Sequence, residues 1–101
     1  MFALQVSYPV RDYEAFKKVF DTDPVGRAAL GARSVRLFRD ADDPNSVTVL
    51  LDFDTKDAAN VFLERLRSDV WDKPEVIGQL MTAAPTARIL EETAREGQGA
   101  G

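Results

Sequence analysis

The feature that most constrains the fold is a pair of segments in the middle of the chain whose apolar residues recur at every second position. The two segments are residues 33–40 and 46–53, and the stretch 41–45 between them reads Ala-Asp-Asp-Pro-Asn. A period of two predicts β-strands with one buried face, and the turn-forming residues between them predict an antiparallel hairpin with a five-residue loop.

The register of this hairpin follows from the requirement that its apolar residues share one face. If Asp40 faces Ser46, then Leu37 lies opposite Val49 and the other apolar residues fall on the same side. A slip by one residue would move one strand's apolar residues to the opposite face, so the pattern favours this register.

The rest of the chain divides into elements by the same reasoning. Residues 2–8 alternate, which predicts a half-buried strand, and residues 86–91 predict a last strand. Apolar residues at helical spacing follow Asp12 and again Thr55, which predicts two amphipathic helices with these residues at the N-cap. Residues 68–84 are less regular and predict two short helical turns.

The order strand-helix-strand-strand-helix-strand predicts an α+β fold of the ferredoxin-like plan. This plan is one antiparallel sheet in the order 4-1-3-2, with the helices on one face. A chain of 101 residues supports one hydrophobic core, so we expect one domain over residues 1–94. The remaining residues, 95–101, end in Gly-Gln-Gly-Ala-Gly and predict a flexible tail.

The two faces of the predicted sheet differ in composition. The face toward the helices collects apolar side chains: Leu4, Val6, Val35, Leu37, Val49, Leu51 and Ile89. The opposite face mixes apolar, charged and polar side chains: Gln5, Ser7, Arg36, Phe38, Thr48, Leu50, Asp52, Arg88 and Leu90. This second face is too apolar for free solvent and too charged for a dry core, which favours a covered, partly wet interface.

Several classes of function are excluded by composition. The chain has no cysteine and no histidine, so disulfides, thiolate nucleophiles, Cys/His zinc sites, His-ligated haem and Ser-His-Asp triads are impossible. A net charge of −4 without a basic cluster predicts no nucleic-acid partner. No apolar run approaches the roughly 18–20 residues of a membrane span, so we expect no membrane association. We expect a cytoplasmic protein with no cofactor and no metal site.

Three segments carry a resemblance to a known family. They are Val-Arg-Asp-Tyr-Glu-Ala-Phe at 10–16, the run 31–45 from Gly-Ala-Arg to Asp-Pro-Asn, and Leu-Asp-Phe-Asp-Thr-Lys-Asp-Ala at 51–58. The chain resembles the dimeric α/β-barrel superfamily, which includes antibiotic-biosynthesis-type monooxygenases, small cyclase-like proteins and uncharacterised bacterial proteins. The resemblance implies a homodimer in which two ferredoxin-like subunits pack sheet against sheet.

The resemblance also directs attention to residue types. Cofactor-independent monooxygenases of this group are similar in using asparagine, tryptophan, tyrosine and arginine, and Asn60, Trp71 and Arg88 are candidates of those types. Trp71, the sole tryptophan, is either a core anchor or a group that stacks on a ligand. Asn60 faces either solvent or the space between helix and sheet.

A second candidate group lies on the mixed face of the sheet. In the predicted register Arg36 faces Leu50 and lies diagonal to Asp52, within reach of its carboxylate. Gln5 lies between Arg88 and Asp52. The group is either an ion pair within or between subunits, or a polar patch that binds a small molecule. Without histidine, a general base must be sought among other residues, of which four are available: Tyr8, Tyr13, Asp52 and Glu91.

Two functions therefore remain open. The first is a cofactor-free monooxygenase- or cyclase-like enzyme that acts on an aromatic or polyketide-type molecule. The second is a non-catalytic homodimer that binds a small apolar or aromatic ligand, or associates only with itself.

Overall fold

The computed structural model describes residues 1–97 and has one four-stranded antiparallel sheet with helices packed on one face. The strands run in the order β2-β3-β1-β4, which confirms the predicted ferredoxin-like order. Of the predicted tail, residues 98–101 lie outside the described residues. The elements in chain order are β1 Phe2–Pro9, α1 Tyr13–Asp21, β2 Ser34–Asp40, β3 Asp43–Phe53, α2 Lys56–Leu66, α3 Pro74–Leu80 and β4 Thr86–Glu91.

The predicted register of the central hairpin is confirmed along most of its length. Leu37 pairs with Val49 and Arg36 with Leu50. The alternation favours this register, because a slip by one residue would move one strand's apolar residues to the opposite face.

The predicted turn of this hairpin is wrong. Asp40 pairs with Asp43 rather than with Ser46, and the ladder between β2 and β3 is irregular after Arg39. Pro44 has no N–H to contribute to a ladder, and the regular pairing of β2 with β3 breaks beside it, whereas the pairing of β1 with β3 continues to Ser46. Accordingly, the backbone N–H of Val10 donates to the carbonyl of Asn45 at 2.8 Å. The Asp40 carboxylate closes the shorter turn by accepting the backbone N–H of Asp42 at 2.8 Å.

The two long helices begin at the predicted residues but are capped differently. The Thr55 hydroxyl accepts the backbone N–H of Ala58 at 3.1 Å, whereas the Asp12 side chain makes no capping hydrogen bond. Helix α2 continues into a π-helical turn, Arg67–Trp71, so the short turn predicted to start at Ser68 belongs to this helix. Helix α2 buries four residues at helical spacing: Ala59, Phe62, Leu63 and Leu66.

The hydrophobic core lies between the helices and one face of the sheet. Leu4, Val6 and Leu51 are almost completely inaccessible there, as the alternation predicts. On the other face, Phe38 is 45% exposed and Leu90 36% exposed, and no element of the described chain covers them. Within residues 1–97, no helix combines the length and the apolar character that crossing a membrane requires.

Candidate functional site

A cavity of about 70 Å³ lies inside the domain, between the sheet and the helices. Its wall is formed by β1, β3, α1, α2, α3 and the connector between α1 and β2. Most of the lining is aliphatic or aromatic, and three lining residues carry polar side-chain groups: Tyr8, Asp23 and Arg27. An apolar cavity with a few polar groups at defined positions is the usual form of a small-molecule site.

Tyr8 brings a hydroxyl group into the core. As the last apolar position of the β1 alternation, it faces the helices and is buried. The indole Nε1 of Trp71 donates to the Tyr8 hydroxyl oxygen at 3.4 Å, and the two rings meet edge to face with their centroids 6.1 Å apart. The Tyr8 ring also packs against Phe16 at 5.0 Å. The β1 strand and the helices thus hold this hydroxyl in one place.

The environment keeps Tyr8 protonated. Burial raises the pKa of Tyr8 to about 12, although the hydrogen bond from Trp71 and the positive charge of Arg27 both oppose this rise. At neutral pH the residue is therefore a phenol whose O–H can donate a hydrogen bond, and it does not act as the general base that the sequence left open.

Arg27 belongs to the connector between α1 and β2. Its Nη1 donates to the carbonyl of Phe20 at 3.0 Å, and its guanidinium carbon lies 4.1 Å from the centre of the Phe20 ring. Its Nε lies 3.4 Å from Oδ1 of Asp23, which also accepts the Arg27 backbone N–H at 2.9 Å. These contacts attach the guanidinium to the end of α1, beside the cavity.

The connector reaches this position through two residues with left-handed backbone. Asp23 has φ of +52° and Gly26 has φ of +84°. Asp is one of the few non-glycine types that tolerate this region, and glycine adopts it without steric cost. The two turns fold the connector back over the end of α1, which places Asp23 and Arg27 at the cavity.

The candidate ligand-binding residues that were predicted from the sequence and the resemblance lie in different parts of the structure. Trp71 is half-buried and reaches the cavity only through Tyr8. Asn60 lies on the exposed side of α2 and is not part of the cavity wall. Arg36, Asp52 and Arg88 project from the face of the sheet that the helices do not cover. No single site in the described chain brings these five residues together.

On the uncovered face, the predicted pair of Arg36 and Asp52 does not form within one chain. Asp52 instead accepts the hydroxyl of Ser34 at 2.6 Å, because Ser34 is its direct cross-strand partner. The guanidinium carbon of Arg36 lies 5.6 Å from the centre of the Phe38 ring. The neighbouring pair does form, since Nε of Arg88 donates to Oε1 of Gln5 at 2.8 Å.

These side chains border a shallow groove on the uncovered face. Arg36, Leu50 and Asp52 form one side of it, and Leu90 and the segment after β4 form the other. The groove is open and mixes charged with apolar groups, which is the composition predicted for this face. It differs from the internal cavity, whose wall is mostly apolar.

Arg27 and Asp23 are not among the candidates that the sequence analysis identified. The signal that could have identified them is their spacing, since opposite charges four residues apart pair on one side of a helical turn. That signal is common on protein surfaces. Only the fold of the connector places this pair beside a cavity.

Comparisons with known proteins support the fold. No protein-family model matches the sequence, and no curated protein does. Among solved structures, the chain is similar to an antibiotic biosynthesis monooxygenase, with a TM-score of 0.69 and 10% identity over 93% of this chain and 100% of that one. It is also similar to a dimeric ferredoxin-like protein from an uncultured marine organism, with a TM-score of 0.71 and 14% identity over 94% of this chain and 96% of that one.

A third similar structure is SnoaB from Streptomyces nogalater, described as a cofactor-independent oxygenase. The TM-score is 0.64 and the identity 20%, over 96% of this chain and 95% of that one. The resemblance to monooxygenase-like proteins of the ferredoxin-like fold is thereby confirmed at the level of the fold. One such fold carries many functions, so activity has to be argued from the site.

Proposed function

We propose that this protein is a cytoplasmic homodimer that binds a small aromatic or polyketide-type molecule in its internal cavity and acts on it without a cofactor, as a monooxygenase- or cyclase-like enzyme. The observation that carries this proposal is the hydroxyl of Tyr8, which is held by Trp71 and belongs to a residue that lines a mostly apolar cavity. The solved structures with this fold include a cofactor-independent oxygenase and an antibiotic biosynthesis monooxygenase, which supports the reaction class.

The chemistry suits a ligand with one oxygen function on a flat apolar body. Aromatic side chains of Tyr8, Phe16, Phe20 and Phe62 border the cavity and provide the apolar contact. The phenol of Tyr8 donates to a carbonyl or phenol oxygen of the ligand and so fixes its orientation. A donor at this point would stabilise negative charge that develops on the ligand oxygen during oxygenation or cyclisation.

Ligand entry requires movement of the chain. The cavity holds about 70 Å³, about half of the ~150 Å³ that accepts benzene in an engineered protein core. The part of the cavity wall that we expect to move is the α1–β2 connector, because it is neither helix nor strand. It contributes Pro24, Val25 and Arg27 to the wall. Outward movement of this connector enlarges the cavity without disrupting the sheet.

Dimerisation is proposed to cover the uncovered face of the sheet. Phe38, Leu50 and Leu90 form its apolar part, and Phe38 and Leu90 are exposed. Apolar side chains grouped on an open sheet face favour a partner that covers them. A two-fold arrangement would bury the same face in both subunits. The similar ferredoxin-like protein from the marine organism is described as dimeric, which supports this arrangement.

A second function has a specific observation in its favour. The small size of the cavity and the position of Asn60 outside it both fit a non-catalytic homodimer that binds a small apolar ligand or only associates with itself. In that case the Tyr8 hydroxyl orients a ligand but no product forms.

One experiment separates the two functions. The purified protein is incubated in air with hydroxylated naphthalenes and anthrones, and bound ligand is followed by the fluorescence of Trp71 while products are identified by mass spectrometry. The enzyme proposal predicts an oxygenated or cyclised product that Tyr8→Phe forms much more slowly. Tyr13→Phe is the matched control, because Tyr13 does not line the cavity. Fluorescence change without product supports the binding function, and the absence of both contradicts the cavity as a site.

A further inference from the structure

We infer that the cavity selects ligands with a negatively charged oxygen, a carboxylate or a phenolate, which lies between the hydroxyl of Tyr8 and the guanidinium of Arg27. This inference rests on the proposed function, because it assigns a ligand class to the same cavity. The two groups come from separate parts of the chain, β1 and the α1–β2 connector, and both line the cavity wall.

Tyr8 has a hydrogen-bond donor that is unused in the described chain. Its hydroxyl oxygen accepts a hydrogen bond from Trp71, and within residues 1–97 the hydroxyl makes no bond in which it is the donor. A buried donor without an acceptor is costly, so sites of this kind are completed by a ligand or by water. The O–H is therefore available to an acceptor in the cavity that Tyr8 lines.

Arg27 also has hydrogen-bond donors that are unused among residues 1–97. A guanidinium has five N–H groups in a planar fork. Nη1 is bonded to the Phe20 carbonyl and Nε faces Asp23, while Nη2 makes no hydrogen bond within the described part of the chain. The side chain is only 22% exposed, so its charge is poorly hydrated. Such a group binds an anionic oxygen more strongly than a neutral one.

The two groups act on the same region. The positive charge of Arg27 lowers the pKa of Tyr8 against the larger effect of burial, so its field reaches the Tyr8 hydroxyl. A ligand oxygen that accepts the Tyr8 proton would therefore lie in the field of Arg27. A negative charge on that oxygen is stabilised by both groups.

Asp23 is the group that opposes this selection. Its carboxylate also borders the cavity and would repel an anion or attract a cation. It is already bonded to the Arg27 backbone N–H at 2.9 Å, and its side chain is 38% exposed, so it is better hydrated than Arg27. We therefore expect Arg27 to dominate inside the cavity, with Asp23 holding the connector at its mouth.

The test compares three probes of nearly equal size and different charge: benzoate, benzamide and benzylamine. Binding to the full chain is measured by calorimetry and by the Trp71 fluorescence. Met81 lines the cavity, so a shift of its methyl signal in the NMR spectrum shows that the probe binds there. We expect benzoate to bind roughly tenfold more tightly than benzamide, and benzylamine to bind most weakly. 4-Nitrophenol is a further probe that offers a phenolate in place of the carboxylate of benzoate. Its absorption shows whether the cavity binds the phenolate form.

Substitutions show which residue causes the preference for benzoate over benzamide. Arg27→Gln is expected to remove the preference for benzoate over benzamide, and Arg27→Lys to keep most of it. Arg39→Gln is the matched control, because this guanidinium lies over the Tyr13 ring at 4.4 Å and does not line the cavity. If Arg27→Gln does not fold, the comparison of Arg27→Lys with the unchanged protein still measures the contribution of the guanidinium fork.

The failures can be told apart. If none of the probes binds, the cavity is not a site and the proposed function fails together with this inference. If benzoate and benzamide bind equally, the inference is wrong while the cavity remains a binding site. Preferential binding of benzylamine would mean that the Asp23 carboxylate determines the ligand charge, and it would also overturn the inference. A benzoate preference that survives in Arg27→Gln would show that another group selects the anion.

Discussion

The two faces of the sheet are built from the same strands, yet they differ in what their side chains contact. On the helix-covered face the side chains are apolar and buried, and the polar group that the strands place there, the Tyr8 hydroxyl, is held by Trp71. On the uncovered face, charged groups such as Arg36, Asp52 and Arg88 lie between exposed apolar ones. Polar groups are thus rare and fixed on one face, frequent and solvated on the other.

This difference separates two tasks. An enclosed, apolar space makes each hydrogen bond and charge more effective, which favours recognition of a small ligand. A broad face of mixed polarity resembles the surfaces that pair proteins with each other. We therefore expect substitutions on the covered face to change stability and ligand binding, and substitutions on the uncovered face to change association.

The largest effect is expected at the covered face from Phe62→Ala. Phe62 is buried against Phe53, with ring centroids 5.6 Å apart, and its removal enlarges the cavity. The free energy of unfolding should fall by about 3–5 kcal/mol, as measured by urea denaturation. Val61→Ala is the matched control, because the adjacent side chain is 52% exposed and its loss should change little. Equal stability of both variants would mean that α2 presents a different side to the sheet.

The next effect is an alkaline loss of stability caused by Tyr8. Between pH 10 and pH 12 the unfolded chain releases the Tyr8 proton while the folded chain, with a pKa of about 12, retains it. Stability must therefore fall as pH rises through this window, by about 2–3 kcal/mol in total, and remain unaffected by this group below pH 10.

Urea denaturation across this pH range, with phenolate absorption recorded in parallel, measures the decline. Tyr8→Phe should flatten it, whereas Tyr13→Phe should leave it in place. A decline of the same size in Tyr8→Phe would assign it to other groups and would contradict the burial of the Tyr8 hydroxyl.

On the uncovered face, Phe38→Ala is expected to weaken the proposed dimer without destabilising the subunit. Loss of a large apolar side chain at the centre of an interface costs about 2 kcal/mol, which corresponds to a roughly 30-fold rise of the dimer dissociation constant. Sedimentation equilibrium measures this constant. Val61→Ala again serves as control, since it removes an exposed apolar side chain from α2 instead of the sheet. A monomeric unchanged protein at micromolar concentration would disprove the dimer.

The smallest effect concerns Arg36 and Asp52, which do not pair within one chain and are predicted to meet across the subunit interface. Arg36→Ala should weaken the dimer, and adding Asp52→Ala should partly restore it, with a coupling energy of about 1 kcal/mol. Ser34→Ala controls for the hydroxyl that Asp52 accepts within its own chain. Strictly additive effects would exclude the pair. If Arg36→Ala instead abolishes ligand binding and leaves the dimer intact, these residues belong to a site.

The sequence by itself determined the elements, the strand order and the two faces of the sheet. Apolar residues that recur every two or every 3.6 positions are a local property of the sequence. They show which side of a strand or helix is buried, whichever element it packs against. The same reasoning aligned Leu37 with Val49 and directed Tyr8 toward the core. The turn of the central hairpin was predicted wrongly, because the regular ladder between β2 and β3 breaks after Arg39 and the hairpin closes through Asp40 and Asp43.

The composition of the cavity depends on tertiary packing. Tyr8 and Arg27 are far apart in the sequence and line one cavity because a strand end and a folded connector converge, and a π-helical turn brings Trp71 to the Tyr8 hydroxyl. A pattern of residue types also does not show which of two available partners a side chain binds. Asp52 accepts the hydroxyl of Ser34 and does not pair with the guanidinium of Arg36 within one chain. Such choices depend on distances of a few ångströms and on side-chain orientation, and these exist only once the distant segments have packed together.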